Sequence, residues 1–329
     1  MNIIFMGTPD FAKESLEKIY NAGHNIVAVV TNPDKPKGRG MRVIASPVKE
    51  FAVKKNIKVF QPLKIKNNEE FIGEIKSLNP DLMVVVAYGK ILPKEVLDIP
   101  KYGAINVHGS ILPKYRGAAP IQWAVLNGDK ETGITTMFMD LEMDAGDIIL
   151  TEKVEIDDDE TTGELWNRLS KIGGELLVKT VDLIENSVKT IEETSDENLL
   201  EKIKKKVGAK KQPENYSLAP MLSKEMSKID WTKSAREIHN LVRGLDPIMG
   251  AYSMCDGKKI KFWKVNVVDY DNKTNKPGEI LTCSKKEGLK IQTGNGIIEV
   301  IEIQGENAKR MDIKSFLNGT QIKAGTILQ

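Results

Sequence analysis

The chain has 329 residues, of which 40% are hydrophobic and 29% charged, and its formal net charge is +2 at pH 7. That length allows one large domain or two ordinary ones, with a core that needs no staples. Two cysteines, Cys255 and Cys283, exclude a disulfide framework and show no zinc-ligand spacing, and the small net charge leaves any polyanion contact to local clusters of Lys and Arg.

The opening MNIIFMGTPDF lacks the basic start and long apolar stretch of a signal peptide. No apolar run reaches the roughly 20 residues of a transmembrane helix. A cytoplasmic protein in a reducing compartment is expected.

Residues 2–6 (NIIFM) read as a buried strand ending at Gly7. Phe11, Ser15, Leu16 and Ile19 then recur at helical spacing, and Asn21 and Gly23 end that helix. A second buried strand, IVAVV at 26–30, completes a βαβ unit and predicts a parallel sheet. LMVVVA at 82–87 and AINV at 104–107 are further strands, apolar enough to be covered on both faces. Glu69 to Ser77 is helical, Ile134 to Met139 and Asp147 to Val154 are strands, and Thr161 to Glu185 is a long helix. That helix presents Leu165, Leu169, Ile172, Leu176, Leu177 and Val181 on one side. The expected fold is a doubly wound α/β domain over residues 1–188. A polar linker over 189–207 runs into the basic stretch EKIKKKVGAKKQP, and a small β-barrel domain covers 208–329. Its signals are a helix over Ser234 to Val242 and short strand-like runs, such as KIKFWKVNVV and GIIEVIEIQ, separated by Gly, Asn and Lys turns.

The first βα turn, Gly7-Thr8-Pro9-Asp10, lacks the G-x-G-x-x-G of a dinucleotide site, and the chain has no phosphate-loop motif. An α/β sheet without a phosphate loop binds its ligand at the carboxyl ends of its strands. Asn106 and His108 fall at one such end, in INVHGSILPKYRGAAP. An Asn amide can donate to an oxyanion, and a histidine moves protons near neutrality. Asp144 and Asp147 lie in the turn MDAGDI, and a tight Gly turn could present one of them to orient that histidine. No Ser or Cys stands in a nucleophile elbow, so direct transfer of an acyl group fits better than an acyl-enzyme. On these residues alone two readings stand. His108 is either a packing histidine beside a turn or a proton handler, and Asp144 is either a turn residue or its partner.

HGSILPKYRGAAP (108–120) followed by MDLEMDAGDI (139–148) resembles the signature of the folate-dependent formyltransferase family. The likeness extends to GTPDFA at 7–12, VVVAYGKILP at 84–93 and IDWTKSAREIHNLVRGLDP at 229–247, and so covers most of the chain. The resemblance implies a Rossmann-like catalytic domain followed by an OB-like barrel. It implies transfer of the formyl group of 10-formyltetrahydrofolate to the α-amine of methionine on initiator tRNA, through a tetrahedral intermediate and without a metal. Asn106 would bind the oxyanion, His108 would assist proton transfer, and Asp144 would orient His108 or relay the amine proton. Ser110, Ile111, Leu112 and Pro113, with Val86, Ala87, Tyr88 and Gly89, would line the folate site. Lys35, Lys37, Arg39 and Arg42 of the loop PDKPKGRGMR, and Lys204, Lys205 and Lys206 of the linker, would meet tRNA; as plain sequence both clusters also read as solvated surface. Gly109 and Ile111 depart mildly from the family pattern, and Met249 stands where it often has a second proline. The protein is expected to act as a monomer with no membrane partner. Rival readings are a formyltransferase acting on an amino sugar or other small amine, a formyltetrahydrofolate hydrolase, and a nucleic-acid-binding protein without catalysis. His24 and His239 read as structural or exposed, and Trp231 and Trp263 as packing residues.

Overall fold

The computed structural model describes residues 1–37, 42–191, 198–320 and 322–329. Two compact units emerge. Met1–Pro120, Thr132–Glu155 and Trp166–Pro220 form the first, and Ile121–Glu131, Ile156–Leu165 and Met221–Gln329 form the second.

In chain order the first elements are β1 (Asn2–Gly7), α1 (Asp10–Asn21), β2 (Asn25–Val30), a short hairpin of β3 (Lys35–Lys37) and β4 (Arg42–Ile44), α2 (Pro47–Lys54) and β5 (Val59–Phe60). Next come α3 (Glu69–Ser77), β6 (Leu82–Val86), α4 (Lys94–Leu97), β7 (Ala104–His108) and α5 (Pro120–Leu126). They are followed by β8 (Glu131–Phe138), β9 (Ile148–Glu155), α6 (Thr162–Lys189) and α7 (Leu199–Val207). One sheet runs β5-β2-β1-β6-β7-β8-β9. The strands from β5 to β7 pair in parallel, and β8 is antiparallel to β7. This is the doubly wound, mostly parallel sheet expected from the apolar runs. Ile3 to Met6 and Leu82 to Val86 are all buried, as strands covered on both faces must be. The chain winds from β1 outward to β2 on one side and continues from β6 to β7 on the other. The crevice beyond β1 and β6 is therefore the topological switch point, where such sheets bind ligands.

The helices follow their apolar stripes. Phe11, Ser15, Leu16 and Ile19 of α1 are buried, and Phe11 meets Trp166 of α6 edge-to-face at 5.1 Å. Leu169, Leu176, Leu177 and Val181 of α6 are buried as well, each contributing about 1.5–3 kcal/mol. Ile172 is only half-buried, because the buried face there is made by Gly173 and Gly174. Strand β6 stops at Val86, one residue short of the apolar run, since Ala87 turns into the left-handed region at φ 46°.

Among the helices that the residue pattern did not mark are α2 and α7. Ser46 caps α2 by accepting the Lys49 amide at 3.1 Å, but its eight residues are too few to show a period. Helix α7 occupies the basic stretch read as a spacer. Ile203 and Val207, four apart, are its only buried positions, and Gly208 closes it at φ 72°.

The second unit contains α8 (Ala235–Leu245), β10 (Ala251–Cys255), β11 (Lys258–Asp269), β12 (Ile280–Ser284), β13 (Gly288–Gln292), β14 (Ile297–Gln304), β15 (Met311–Asp312) and α9 (Ile313–Gly319). Its antiparallel sheet runs β10-β11-β14-β13-β12, with β15 on β14. The final residues join the two edges. The Met254 amide donates to the Gln329 carbonyl at 2.7 Å, and the Ile280 amide to the Thr326 carbonyl at 2.9 Å. Pairing both edges removes the exposed strand groups that would otherwise template aggregation, and gives the small barrel-like domain expected. Ser234 and Glu237 cap α8 reciprocally. Trp231 is 5% exposed and donates to Ser253 Oγ at 2.9 Å, a packing role as anticipated. At Met249 the turn is intact, with its amide donating to the Leu245 carbonyl at 3.0 Å and its side chain packed on the core.

The remaining histidines are structural. His24 pairs with Asp182 at 3.3 Å, and His239 with Asp159 at 3.0 Å. Burial, followed by the neighbouring Arg243 charge, pushes the His239 pKa below its ordinary value despite Asp159. The folded state thus prefers neutral His239, while the unfolded chain takes up a proton near pH 6.5. That stability is present above pH 6.5 or so and is lost as pH falls through the lower folded pKa. We expect the melting temperature to drop between about pH 7 and pH 5. In His239→Gln the drop should be visibly shallower; an identical pH profile would remove His239 from the account.

Candidate active site

Strand β7 delivers Asn106 and His108 to the carboxyl edge of the sheet, beside the β6 end. Period-two alternation puts both on one face. His108 is 5% exposed. Its Nε2 lies 2.9 Å from the Tyr115 carbonyl oxygen. A carbonyl only accepts, so Nε2 carries the proton, and in the neutral ring Nδ1 is the basic nitrogen. Nδ1 faces Asp144 Oδ2 at 3.6 Å. Asn106 Nδ2 donates to the other oxygen of the same carboxylate at 3.4 Å. Three side chains separated by up to 38 positions thus meet at one carboxylate.

Asp144 is held by the backbone. It sits at φ 55°, a left-handed conformation that Asp tolerates better than most residues, and its Oδ2 accepts the Gly117 amide at 2.8 Å. Gly146, two residues on, has no room for a side chain, because a methyl group would overlap the Phe138 carbonyl oxygen. Gly146→Ala should cost about 1–3 kcal/mol by forcing the turn off Phe138. An unchanged urea midpoint in the folded variant would contradict this.

The segment after His108 is a rigid turn. Ser110 is fully buried, its hydroxyl donates to the Lys114 carbonyl at 2.5 Å, and its carbonyl accepts Thr135 Oγ1 at 2.7 Å. The Leu112 amide donates to the same Thr135 hydroxyl at 3.2 Å. The Ile111 carbonyl takes the Lys114 amide, and Pro113 the Ser217 amide. Much of the backbone over 110–113 is therefore engaged internally. After β6, Ala87 and Gly89 are exposed with positive φ and flank Tyr88, which is 2% exposed. The Tyr88 hydroxyl is buried without a partner among the described residues, and burial pushes its pKa upward. Val86, before them, is fully buried in the sheet.

The basic clusters are placed differently. Lys35 is exposed on β3, Lys37 and Arg42 belong to the β3–β4 hairpin, and Arg39 lies outside the described residues. The hairpin's root is fastened by Asp34, which takes Lys49 Nζ at 2.6 Å and Gln61 Nε2 at 2.7 Å. These two hydrogen bonds, Lys49's first, hold the Asp34 carboxyl below its ordinary pKa. Lys205 and Lys206 are exposed on α7, but Lys204 turns inward to Asp147 at 3.1 Å and Glu201 at 3.0 Å. Burial works against its charge, but the hydrogen bonds to Glu201 and Asp147 more than offset this and raise its pKa.

Some residues at the site escaped the sequence reading. Thr135 ties Ser110 to Leu112. Arg116, 6% exposed, stacks on Tyr216 at 4.3 Å and pairs with Glu142 at 3.3 Å. Gln212 Nε2 donates to the Asp144 and Gly146 carbonyls, at 2.8 Å each. Gln212 ends a lysine run, and nothing local marks it.

Residues 1–181 match the family model described as formyl transferase, and 221–321 the one described as formyl transferase, C-terminal domain. Curated relatives named methionyl-tRNA formyltransferase include one from Caldanaerobacter subterraneus subsp. tengcongensis, 46% identical with 100% of each chain covered. Another, from Acetivibrio thermocellus, is 47% identical and covers 100% of this chain and 99% of its own. Among solved structures, an N-formyltransferase from Helicobacter canadensis in complex with folinic acid and dTDP-3-aminofucose shares the fold. It has a TM-score of 0.64 and 22% identity, covering 91% of this chain and 99% of that one.

Proposed function

The chain belongs to the formyl transferase family, and from that premise we propose that Asn106, His108 and Asp144 carry out the transfer of a formyl group from 10-formyltetrahydrofolate to the α-amine of methionine on initiator tRNA. The observation that carries this reading is the arrangement around one carboxylate. It holds a neutral amide donor at 3.4 Å and the basic ring nitrogen of His108 at 3.6 Å.

Bound 10-formyltetrahydrofolate supplies the formyl carbon that the amine attacks. Asn106 Nδ2 then donates to the formyl oxygen as negative charge grows there, and leaves its long contact with Asp144 to do so. His108 Nδ1 accepts the proton that the attacking amine must lose. Asp144 stabilises the resulting imidazolium, and the Tyr115 carbonyl keeps the ring in place through Nε2. The same proton is returned to the departing folate nitrogen as the bond from that nitrogen to the formyl carbon breaks. The small, exposed Ala87 and Gly89 just after β6 fit a flat ring at the switch point.

Lys35, Lys37, Arg39 and Arg42 of the hairpin loop and Lys205 and Lys206 of α7 are assigned to tRNA. Lys204 serves first as the ion partner of Asp147. Arg39 remains the residue best suited to reading a phosphate or base edge, because its planar fork bonds bidentately. On this reading the protein works as a monomer in the cytoplasm; among the described residues no helix is long and apolar enough to cross a membrane.

Acceptor choice tests the assignment. Offered 10-formyltetrahydrofolate, the protein should formylate methionyl initiator tRNA and not free methionine or a dTDP-amino sugar. Transfer to the amino sugar alone would favour the small-amine reading. Folate deformylation without an amine product would favour the hydrolase.

A further inference from the structure

Both partners of His108 are themselves held by one stretch of chain, residues 204–219, whose sequence signals only a cluster of basic residues. On one side lies the Asp144 turn. Lys204 pairs with Asp147, and Lys210 and Ile148 exchange backbone hydrogen bonds at 2.8 and 2.9 Å. Gln212 Nε2 donates to the Asp144 and Gly146 carbonyls, and Gln212 Oε1 accepts Arg116 Nε at 3.1 Å. On the other side lies the Tyr115 turn. Tyr115, at φ 65°, donates its amide to Ser217 Oγ at 2.9 Å, and the Arg116 amide donates to the Ser217 carbonyl at 2.8 Å. Asp144 faces Nδ1 of His108, and the Tyr115 carbonyl faces Nε2. Two turns in strained left-handed backbone, one on each side of the imidazole, are thus clamped by the same strap.

We propose that Gln212 and Ser217 are positioning residues for formyl transfer: the strap sets the distance and angle of Asp144 and the Tyr115 carbonyl to His108. The inference rests on the catalytic reading given above for His108 and Asp144. Neither residue needs to touch a substrate. Gln212 is suited to the task because one amide serves two carbonyls and an arginine at once, which no shorter or charged side chain reproduces. The strap also continues directly from α7, so the exposed Lys205 and Lys206 sit on the same piece of chain as the clamp.

The test compares Gln212→Leu and Ser217→Ala with wild type, using steady-state transfer to methionyl initiator tRNA and the ¹⁵N imidazole spectrum of the three histidines across pH. His108 is assigned from the resonance missing in His108→Asn. We expect Gln212→Leu to lose kcat on the order of 10–100-fold, as misplacement by less than about 1 Å does. KM for the charged tRNA should stay within about twofold, and the His108 resonances should titrate at a shifted pH. Ser217→Ala should move the same readouts less. Wild-type kcat with an unmoved His108 titration overturns the proposal, as does a rise in KM at constant kcat, which would make Gln212 a binding residue. If Gln212→Leu does not fold, Ser217→Ala decides by the same criteria. If wild type transfers no formyl group to tRNA, the functional reading fails on its own, and the His108 titration still decides whether the strap positions the ring.

Discussion

Asp144→Asn is expected to lower the single-turnover rate of formyl transfer on the order of 10³-fold, with charged-tRNA affinity nearly unchanged. The carboxylate has three tasks. It accepts the Gly117 amide at 2.8 Å and the Asn106 amide at 3.4 Å, and its charge faces His108 Nδ1 at 3.6 Å. An asparagine keeps the size and removes the charge. Its own NH₂ must also point at either the Gly117 amide or the Asn106 amide, and both are donors. Whichever way the amide turns, one pair opposes, so the turn shifts as well as losing its charge. The proton taken up by His108 is then uncompensated. The tRNA surface assigned here includes no part of Asp144, which is why binding is spared. A wild-type rate in this variant would remove Asp144 from the chemistry.

Asn106→Ala is the second large effect, a loss of kcat on the order of 10²–10³-fold, the usual cost of one oxyanion donor. The folate KM should rise little, because the donor engages the formyl oxygen most strongly when that oxygen carries charge. Asn106→Asp should be worse than alanine, because it sets a second carboxylate beside Asp144. A near-wild-type rate for aspartate beside a loss for alanine would show that Asn106 acts only by filling space.

How much of this could be read from the residues depends on the distance over which each signal acts. The parallel sheet was legible because NIIFM, IVAVV and LMVVVA are unbroken apolar runs, and only strands covered on both faces read that way. Asn106 and His108 were legible as site candidates because strand polarity alone puts them at a carboxyl edge. Asp144 is 36 residues beyond His108 along the numbering. Nothing local joins the two; a Gly turn only says that a side chain is presented somewhere, and the family resemblance supplied the pairing. Helix α7 was hidden because its charged positions outnumber its apolar ones, of which only Ile203 and Val207 are buried. Gln212 and Ser217 left no trace because a side chain that caps a distant turn has no period, no motif and no spacing. The lysines of the linker looked interchangeable, and the structure separates them by partner, Lys204 inward to Asp147, and Lys205 and Lys206 outward.

The central claim is that His108 and Asp144 act as one proton-handling unit on bound substrates. It is tested most directly by single-turnover transfer in His108→Ala, Asp144→Asn and the double variant, with 10-formyltetrahydrofolate and methionyl initiator tRNA both saturating. Groups that work as a unit are strongly non-additive. The double variant should be slower than the worse single by no more than a few-fold; losses that multiply in full, or a double variant as fast as wild type, would show that the two residues do not work as one unit.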